Sequence, residues 1–94
     1  MVTAQERTSN VQPHPDVMAQ HVNEEVVLVH LLSNQIYTLN GTATRLWELL
    51  ETGHDTEACI QTLLSEYDVS RRDLEADVNT IIEILTELNF LVSR

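Results

Sequence analysis

The pattern of apolar residues changes once along this chain, close to Asn40. Before that point, apolar residues come in short runs of strand-forming types. After it they recur every three or four positions, as on one face of a helix. Strands that all precede the helices cannot alternate with them as in a parallel α/β sheet. The order therefore predicts an α+β fold, in which a three-stranded antiparallel sheet is followed by three helices.

The sheet is predicted from three runs, at residues 17–22, 26–32 and 35–39. Polar, turn-forming residues separate the runs at 23–25 and 33–34, which is the pattern of consecutive antiparallel strands. The middle run is apolar in both alternating phases. We therefore expect it to lie between the other two strands, with helices covering one side of the sheet.

Three amphipathic helices are predicted after Asn40, each with apolar residues spaced to share one face. In chain order these residues are Ala43, Leu46, Trp47 and Leu50; then Ile60, Leu63, Leu64 and Tyr67; then Leu74, Val78, Ile81, Leu85 and Leu88. The third helix carries two further isoleucines, Ile82 and Ile84, beside this stripe. It therefore has more apolar surface than one packing seam requires.

Residues with capping side chains mark the starts of the helices. Asn40 is expected to cap the first helix, and Asp55 or Thr56 the second. Ser70, followed three positions later by Asp73, has the spacing of a capping box and is expected to open the third.

The two ends of the chain are predicted to differ. Residues 1–15 are largely polar and aperiodic, and we expect them to form a flexible arm ahead of a folded domain at residues 16–94. Asn89 tolerates left-handed backbone and is expected to end the third helix, so that the apolar residues 90–92 fold back onto the core.

The charge balance narrows the range of partners. The chain has fifteen Asp and Glu residues, five Arg and no Lys, for a formal net charge of -10. Such a surface is repelled by phosphate backbones and by anionic lipid. We therefore expect neither nucleic acid nor membrane to be a partner.

No set of residues has the spacing of a catalytic, phosphate-binding or metal site. The two glycines, Gly41 and Gly53, are too few and too far apart for a phosphate loop, and the four histidines lack the paired spacing of metal ligands. Cys59 is the one cysteine, which excludes an intramolecular disulfide. We expect a protein that is not an enzyme and uses no cofactor. The absence of a targeting segment makes the cytoplasm its expected location.

Two predicted surfaces have no partner within the predicted core, a strand edge and one side of a helix. The third predicted strand, residues 35–39, carries no charge, no Lys and no Pro, so it lacks the usual devices that protect a sheet edge. The third helix has the surplus of apolar surface noted above. An open edge beside an apolar helix forms a cleft suited to adding a peptide as an extra strand.

The residues also resemble a known family. Residues 27–31, 34–43 and 46–50 are similar to the PqqD-like family, whose members have a valine- and leucine-rich strand, a strand ending Tyr-x-Leu-Asn and a helix with Trp before Leu-Leu. In the second half, residues 67–69 and 74–85 resemble the family's third helix. The similarity covers about residues 16 to 92.

This resemblance implies a winged-helix-turn-helix-like domain that recognises precursor peptides of ribosomally made, modified peptide pathways. In that family the leader segment of the precursor pairs with the third strand and lies toward the third helix. Carried over by position, the peptide-binding residues are Gln35, Ile36, Tyr37, Thr38, Leu39, Leu74, Asp77, Val78 and Ile81. Ile84 and Leu88 depart from the family pattern, which commonly has charged residues at these positions.

The chain is most similar to the freestanding leader-binding proteins of lasso-peptide clusters, which deliver the precursor to a transglutaminase-like leader peptidase. The alternative is the peptide chaperone of pyrroloquinoline quinone biosynthesis. An interaction subunit without a peptide ligand would use the same open edge for self-pairing. A winged-helix DNA reader is disfavoured, because its third helix would present mainly carboxylates to the DNA.

Overall fold

The computed structural model describes residues 11–93. In chain order the elements are β1 Val11–Pro13, β2 Val17–Val22, β3 Glu25–His30, β4 Ile36–Leu39, α1 Thr42–Glu51, α2 Thr56–Glu66, α3 Arg71–Glu87 and β5 Leu91–Ser93. The predicted α+β order, three strands and then three helices, is confirmed, with a short strand added at each end.

Strands β2, β3 and β4 form an antiparallel sheet in the order of the chain. Tight turns join them, and each contains an asparagine with left-handed backbone, Asn23 (φ 59°) and Asn34 (φ 62°). Asparagine adopts this conformation more readily than other residues with side chains, which explains why such short connections are possible. As predicted, β3 is the central strand, and β2 and β4 are its edges.

The N-terminal expectation was wrong for residues 11–15. Strand β1 pairs antiparallel with β5 in a second, two-stranded sheet, and Val11 is 3% exposed within the core. The His14 N–H also donates to the Phe90 carbonyl, at 3.0 Å. A three-residue strand is too short to show a period, and its partner lies at the other end of the chain. Residues 1–10 of the expected arm lie outside the described residues.

Two of the predicted caps are confirmed. The Asp55 carboxylate accepts from the Ala58 N–H at 2.8 Å, and the Ser70 hydroxyl accepts from the Asp73 N–H at 3.2 Å. Each satisfies one of the unpaired donors in a first helical turn.

The cap predicted for α1 is wrong. Gly41 occupies the capping position with a φ of 55°, a conformation that favours glycine, and no side chain caps this helix. Asn40 contributes its backbone instead, since its carbonyl accepts from the Ala43 N–H at 3.1 Å. At the far end of α3, Asn89 has a φ of 65°, as expected for the residue that ends the helix.

The core lies between one face of the three-stranded sheet and the inner faces of the helices. Its largest fully buried side chains include Leu28, Leu46, Trp47, Leu63, Leu85 and Phe90. On α3 the buried residues are Leu74, Val78, Ile82 and Leu85. Ile82 therefore lies in the core, where the periodicity had placed Ile81. In the part of the chain that the structure describes, no helix is long and apolar enough to cross a membrane.

Candidate peptide-binding groove

The free edge of β4 presents main-chain hydrogen-bonding groups. The His30 N–H donates to the Gln35 carbonyl at 2.9 Å, and this bond fixes the phase of the β3–β4 ladder. In an antiparallel ladder the residues that bond inward alternate with those that bond outward. Tyr37 therefore bonds toward β3, while the N–H and C=O groups of Ile36 and Thr38 point away from it. Within residues 11–93 no other strand pairs with this edge.

The β4 side chains divide between the two faces of the sheet. Tyr37 lies opposite Leu28, a core residue, so Tyr37 and Leu39 point toward the helices. Ile36 and Thr38 point to the opposite, open face, and Ile36 is 68% exposed. Because no side chain on this strand is charged, an added strand would meet no ion that has to be desolvated.

A groove lies between the end of β4 and helix α3. Its first part has a volume of about 130 Å³. It is lined mostly by apolar side chains, from β4, α3 and the start of α1: Tyr37, Thr38, Leu39, Asn40, Ala43, Ile81, Ile84 and Leu85. This part of the groove suits apolar peptide side chains.

The groove continues past the N-terminus of α1 as a more open concavity of about 410 Å³. Its lining residues are Asn40, Gly41, Thr42, Ala43, Asp77, Thr80 and Ile81, and three of them, Asn40, Ala43 and Ile81, also line the first part. The groove is thus continuous, with an apolar end beside Tyr37 and a polar end beside Asp77.

One face of α3 forms the wall of both parts. Asp77, Ile81 and Ile84 are four and then three positions apart, so successive turns place them along the same side of the helix. Asp77 is the one charged residue among the lining residues of the two parts. It is exposed and forms no ion pair with any residue of the described part of the chain.

Two arginines of the helices, Arg45 and Arg71, form ion pairs outside the groove. Arg45 pairs with Glu66 at 2.8 Å, and Arg71 pairs with Glu57 at 2.7 Å. The hydrogen bond from Arg45 holds the pKa of Glu66 below its ordinary value. Neither of them lines the groove, nor does Arg72, so the charged group at its polar end is the Asp77 carboxylate.

An aromatic cluster lies behind Tyr37. The Tyr37 and Phe90 ring centroids are 6.0 Å apart, and Phe90 in turn packs edge-on against the buried His30 at 5.9 Å. Offset and edge-on ring contacts of this kind are favourable. They hold the half-buried Tyr37 side chain in place at the apolar end of the groove.

The predicted site residues are only partly brought together. Tyr37, Thr38, Leu39, Asp77 and Ile81 line the groove, and Ile36 lies on the same free edge. Gln35 precedes β4 and is not among the lining residues.

Leu74 and Val78 require a correction. They are 3% and 0% exposed on the inner side of α3, where they pack in the core, and neither lines the groove. Ile84 and Thr80 line the groove and were not among the predicted site residues. The signal that could have found Ile84 is its spacing of seven from Asp77 on the same face of the helix.

Comparison with known proteins identifies the family. The family model described as "Coenzyme PQQ synthesis protein D (PqqD)" matches residues 25–91. No curated protein matches the chain.

Two solved structures are similar over nearly their whole length. The structure described as TbiB1 in complex with the TbiA(beta) leader peptide is 30% identical, with a TM-score of 0.83 over 85% of this chain and 93% of that chain. The structure described as lasso peptide synthetase B1 complexed with the leader peptide is 27% identical, with a TM-score of 0.81 over 89% and 99% of the two chains.

The fold and the matches define the class as PqqD-like recognition elements of ribosomally made, modified peptide pathways. The chain belongs to the PqqD family.

Proposed function

We propose that this protein binds the leader segment of a ribosomally made precursor peptide as a fourth strand on β4, beside α3. The observation that carries the proposal is the unpaired, uncharged edge of β4 opening onto a groove walled by α3. The two similar structures support it, since both are described as complexes with a leader peptide.

Main-chain hydrogen bonds would supply the part of the affinity that does not depend on sequence. Ile36 and Thr38 each direct one N–H and one C=O outward, which allows up to four bonds to an added strand. Each bond contributes about 0.5–1.5 kcal/mol net. The added strand can run parallel or antiparallel to β4, because both arrangements use the outward N–H and C=O groups of its free edge.

Side-chain selection would come from the groove. Successive residues of a strand point to opposite faces, so the leader residues facing the groove are two positions apart. These residues would pass Tyr37 and Leu39 and pack against Ile81 and Ile84, which favours apolar anchors. At the polar end, the carboxylate of Asp77 could accept a hydrogen bond from a leader N–H or hydroxyl, a charge-assisted contact worth roughly 1.5–3 kcal/mol.

We assign the protein a binding role, in which it delivers the precursor to a separate leader peptidase. The similar structure described as lasso peptide synthetase B1 with its leader peptide favours a lasso-type pathway over the alternative, a peptide chaperone of pyrroloquinoline quinone synthesis. The description of the matching family, coenzyme PQQ synthesis protein D, supports the alternative.

A titration tests the proposal. A fluorescently labelled synthetic leader, taken from a precursor gene once one is identified beside this one, should bind with a saturable rise in anisotropy. A leader of identical composition in scrambled order should not. Equal binding of both peptides, or of neither, would contradict the proposal.

A further inference from the structure

A second concavity lies on the other side of the start of α1 from the groove. Its volume is about 560 Å³. The walls come from the β2–β3 turn, the start of β3, the first turns of α1 and the residue that follows α2, and the lining residues are Glu24, Glu25, Asn40, Gly41, Thr44, Arg45, Glu48 and Tyr67. Three of them carry carboxylates, so we call it the acidic concavity.

The acidic concavity is continuous with the peptide groove. Asn40 and Gly41 line both it and the polar end of the groove. The β3–β4 register pairs Val26 with Leu39, so its continuation places Glu25 opposite Asn40, just past the end of β4. The space beside Gly41 is open, since a side-chain carbon there would have no nonadjacent residue within 4 Å. A peptide that leaves the groove past Leu39 therefore meets the acidic concavity next.

The acidic concavity has an excess of negative charge. Arg45 is the one cationic side chain among its lining residues, and it pairs with Glu66 at 2.8 Å and with Glu48 at 3.3 Å. Glu24 and Glu25 are exposed and form no ion pair with any residue of the range 11–93. Their charges are uncompensated, so the concavity attracts a cation from outside the chain.

Two other lining residues favour an organic cation over a metal ion. Tyr67 is 38% exposed, and its ring lies in the same concavity as the carboxylates, where aromatic rings attract ammonium and guanidinium groups. The hydroxyl oxygen of Thr44 is buried in the wall without a hydrogen-bond partner among the described residues, so an acceptor is left for an N–H donor. Within residues 11–93, no group of three or more His, Cys, Asp or Glu residues is placed to hold a metal ion. Lysine and arginine side chains supply both the charge and the N–H donors.

We propose that the acidic concavity binds a lysine or arginine side chain of the leader, in the segment that continues past the Leu39 end of β4. The proposal rests on the proposed leader binding and adds a second specificity site to it. The groove selects apolar residues of the paired segment, and the acidic concavity selects a basic residue beyond that segment. If the leader runs antiparallel to β4, the basic residue precedes the paired segment, and if it runs parallel, the basic residue follows it.

The test measures the affinity of the full chain for the labelled leader by anisotropy, with urea unfolding to verify each variant's fold. Glu24→Gln/Glu25→Gln removes two charges from the acidic concavity with little change in shape. The matched control, Glu83→Gln/Glu87→Gln, removes two charges from exposed positions on α3 that line neither the groove nor the acidic concavity. The first variant should bind about three- to five-fold more weakly at low salt, and the control should stay within two-fold of wild type. The difference should shrink at high salt, because the carboxylates are exposed.

A matched change in the leader locates the contact. The lysines and arginines outside the paired segment are replaced by glutamine, first on one side of that segment and then on the other. Replacement on one side only should weaken binding to the wild type by about the same factor as the Glu24→Gln/Glu25→Gln change. That substituted leader should lose no further affinity for the double variant, because the interaction is already absent.

Three results would overturn the proposal. They are wild-type affinity in Glu24→Gln/Glu25→Gln, equal losses in this variant and in the Glu83→Gln/Glu87→Gln control, and a leader that binds tightly with no basic residue on either side of its paired segment. Each of them leaves leader binding at β4 intact. A leader that does not bind the wild type contradicts the proposed function itself, and that result is seen before any variant is compared.

Discussion

Proline at Thr38 should weaken leader binding while leaving the fold intact. The Thr38 N–H points away from β3, so in the free protein it bonds to water and its removal breaks no ladder bond. Proline lacks that donor, and its ring projects where an added strand would lie. The unfolding free energy should therefore change by less than about 1 kcal/mol, the scale of a single hydrogen bond.

The cost to binding follows from the same geometry. Losing one main-chain bond costs about 1 kcal/mol, which is roughly a five-fold rise in Kd. The steric effect of the ring adds to this, so at least a five-fold loss is expected. Anisotropy titration with the labelled leader measures the affinity, and urea unfolding of the same samples measures stability.

His21→Pro is the matched control. The Leu31 N–H donates to the Asp16 carbonyl at 2.9 Å, which fixes the phase of the β2–β3 ladder and directs the His21 backbone outward on the far edge. This variant should bind the leader like wild type. Wild-type affinity in a folded Thr38→Pro, or equal losses in both variants, would refute β4 as the binding edge.

Four further changes test the groove, the core and one ion pair. Asp77→Asn should weaken leader binding several-fold, because it removes the carboxylate charge at the polar end of the groove. Tm should change little, since Asp77 forms no ion pair within residues 11–93. A lower Tm with unchanged leader affinity would mean that Asp77 serves only the helix dipole. Val78→Ala should lower the free energy of unfolding in urea by about 2 kcal/mol without changing leader affinity. Ile84→Ala, on the same helix, should weaken leader binding several-fold and leave the stability nearly unchanged. The reverse pattern would mean that the core face and the groove face of α3 are wrongly assigned. The pKa of Glu66 is lowered in the folded state, so its pairing with Arg45 stabilises the protein above about pH 4.5 and is lost as pH falls through the lowered pKa. Glu66→Gln should remove this part of the acid-induced loss of stability as pH falls below about 4.5, and an unchanged stability profile would contradict the pairing.

The order of elements could be predicted because each has a strong local signal. The strand runs are separated by turn residues, and the caps at Asp55 and Ser70 act within a single helical turn. Local signals of this kind require no knowledge of the rest of the fold.

Strand β1 could not be predicted, because its evidence is not local. Val11–Pro13 pairs with Leu91–Ser93, about eighty positions further along the chain, and each strand is three residues long. The burial of Val11 depends on that pairing and leaves no period in the surrounding sequence.

A groove between β4 and α3 was predicted, but the rotation of α3 about its own axis was not. Its large apolar residues cover a wide arc, so periodicity alone cannot separate the core face from the groove face. The packing of the helix against the core decides it, with Val78 and Ile82 turned inward and Ile84 turned toward the groove. That orientation depends on the other elements of the domain.

Amide hydrogen exchange tests the central claim most directly. The outward N–H groups of Ile36 and Thr38 should exchange fast in the free protein and become protected when the synthetic leader is added. The outward N–H of His21, on the opposite edge, should exchange at the same rate in both states. A saturating leader that leaves Ile36 and Thr38 unprotected would contradict strand addition at β4.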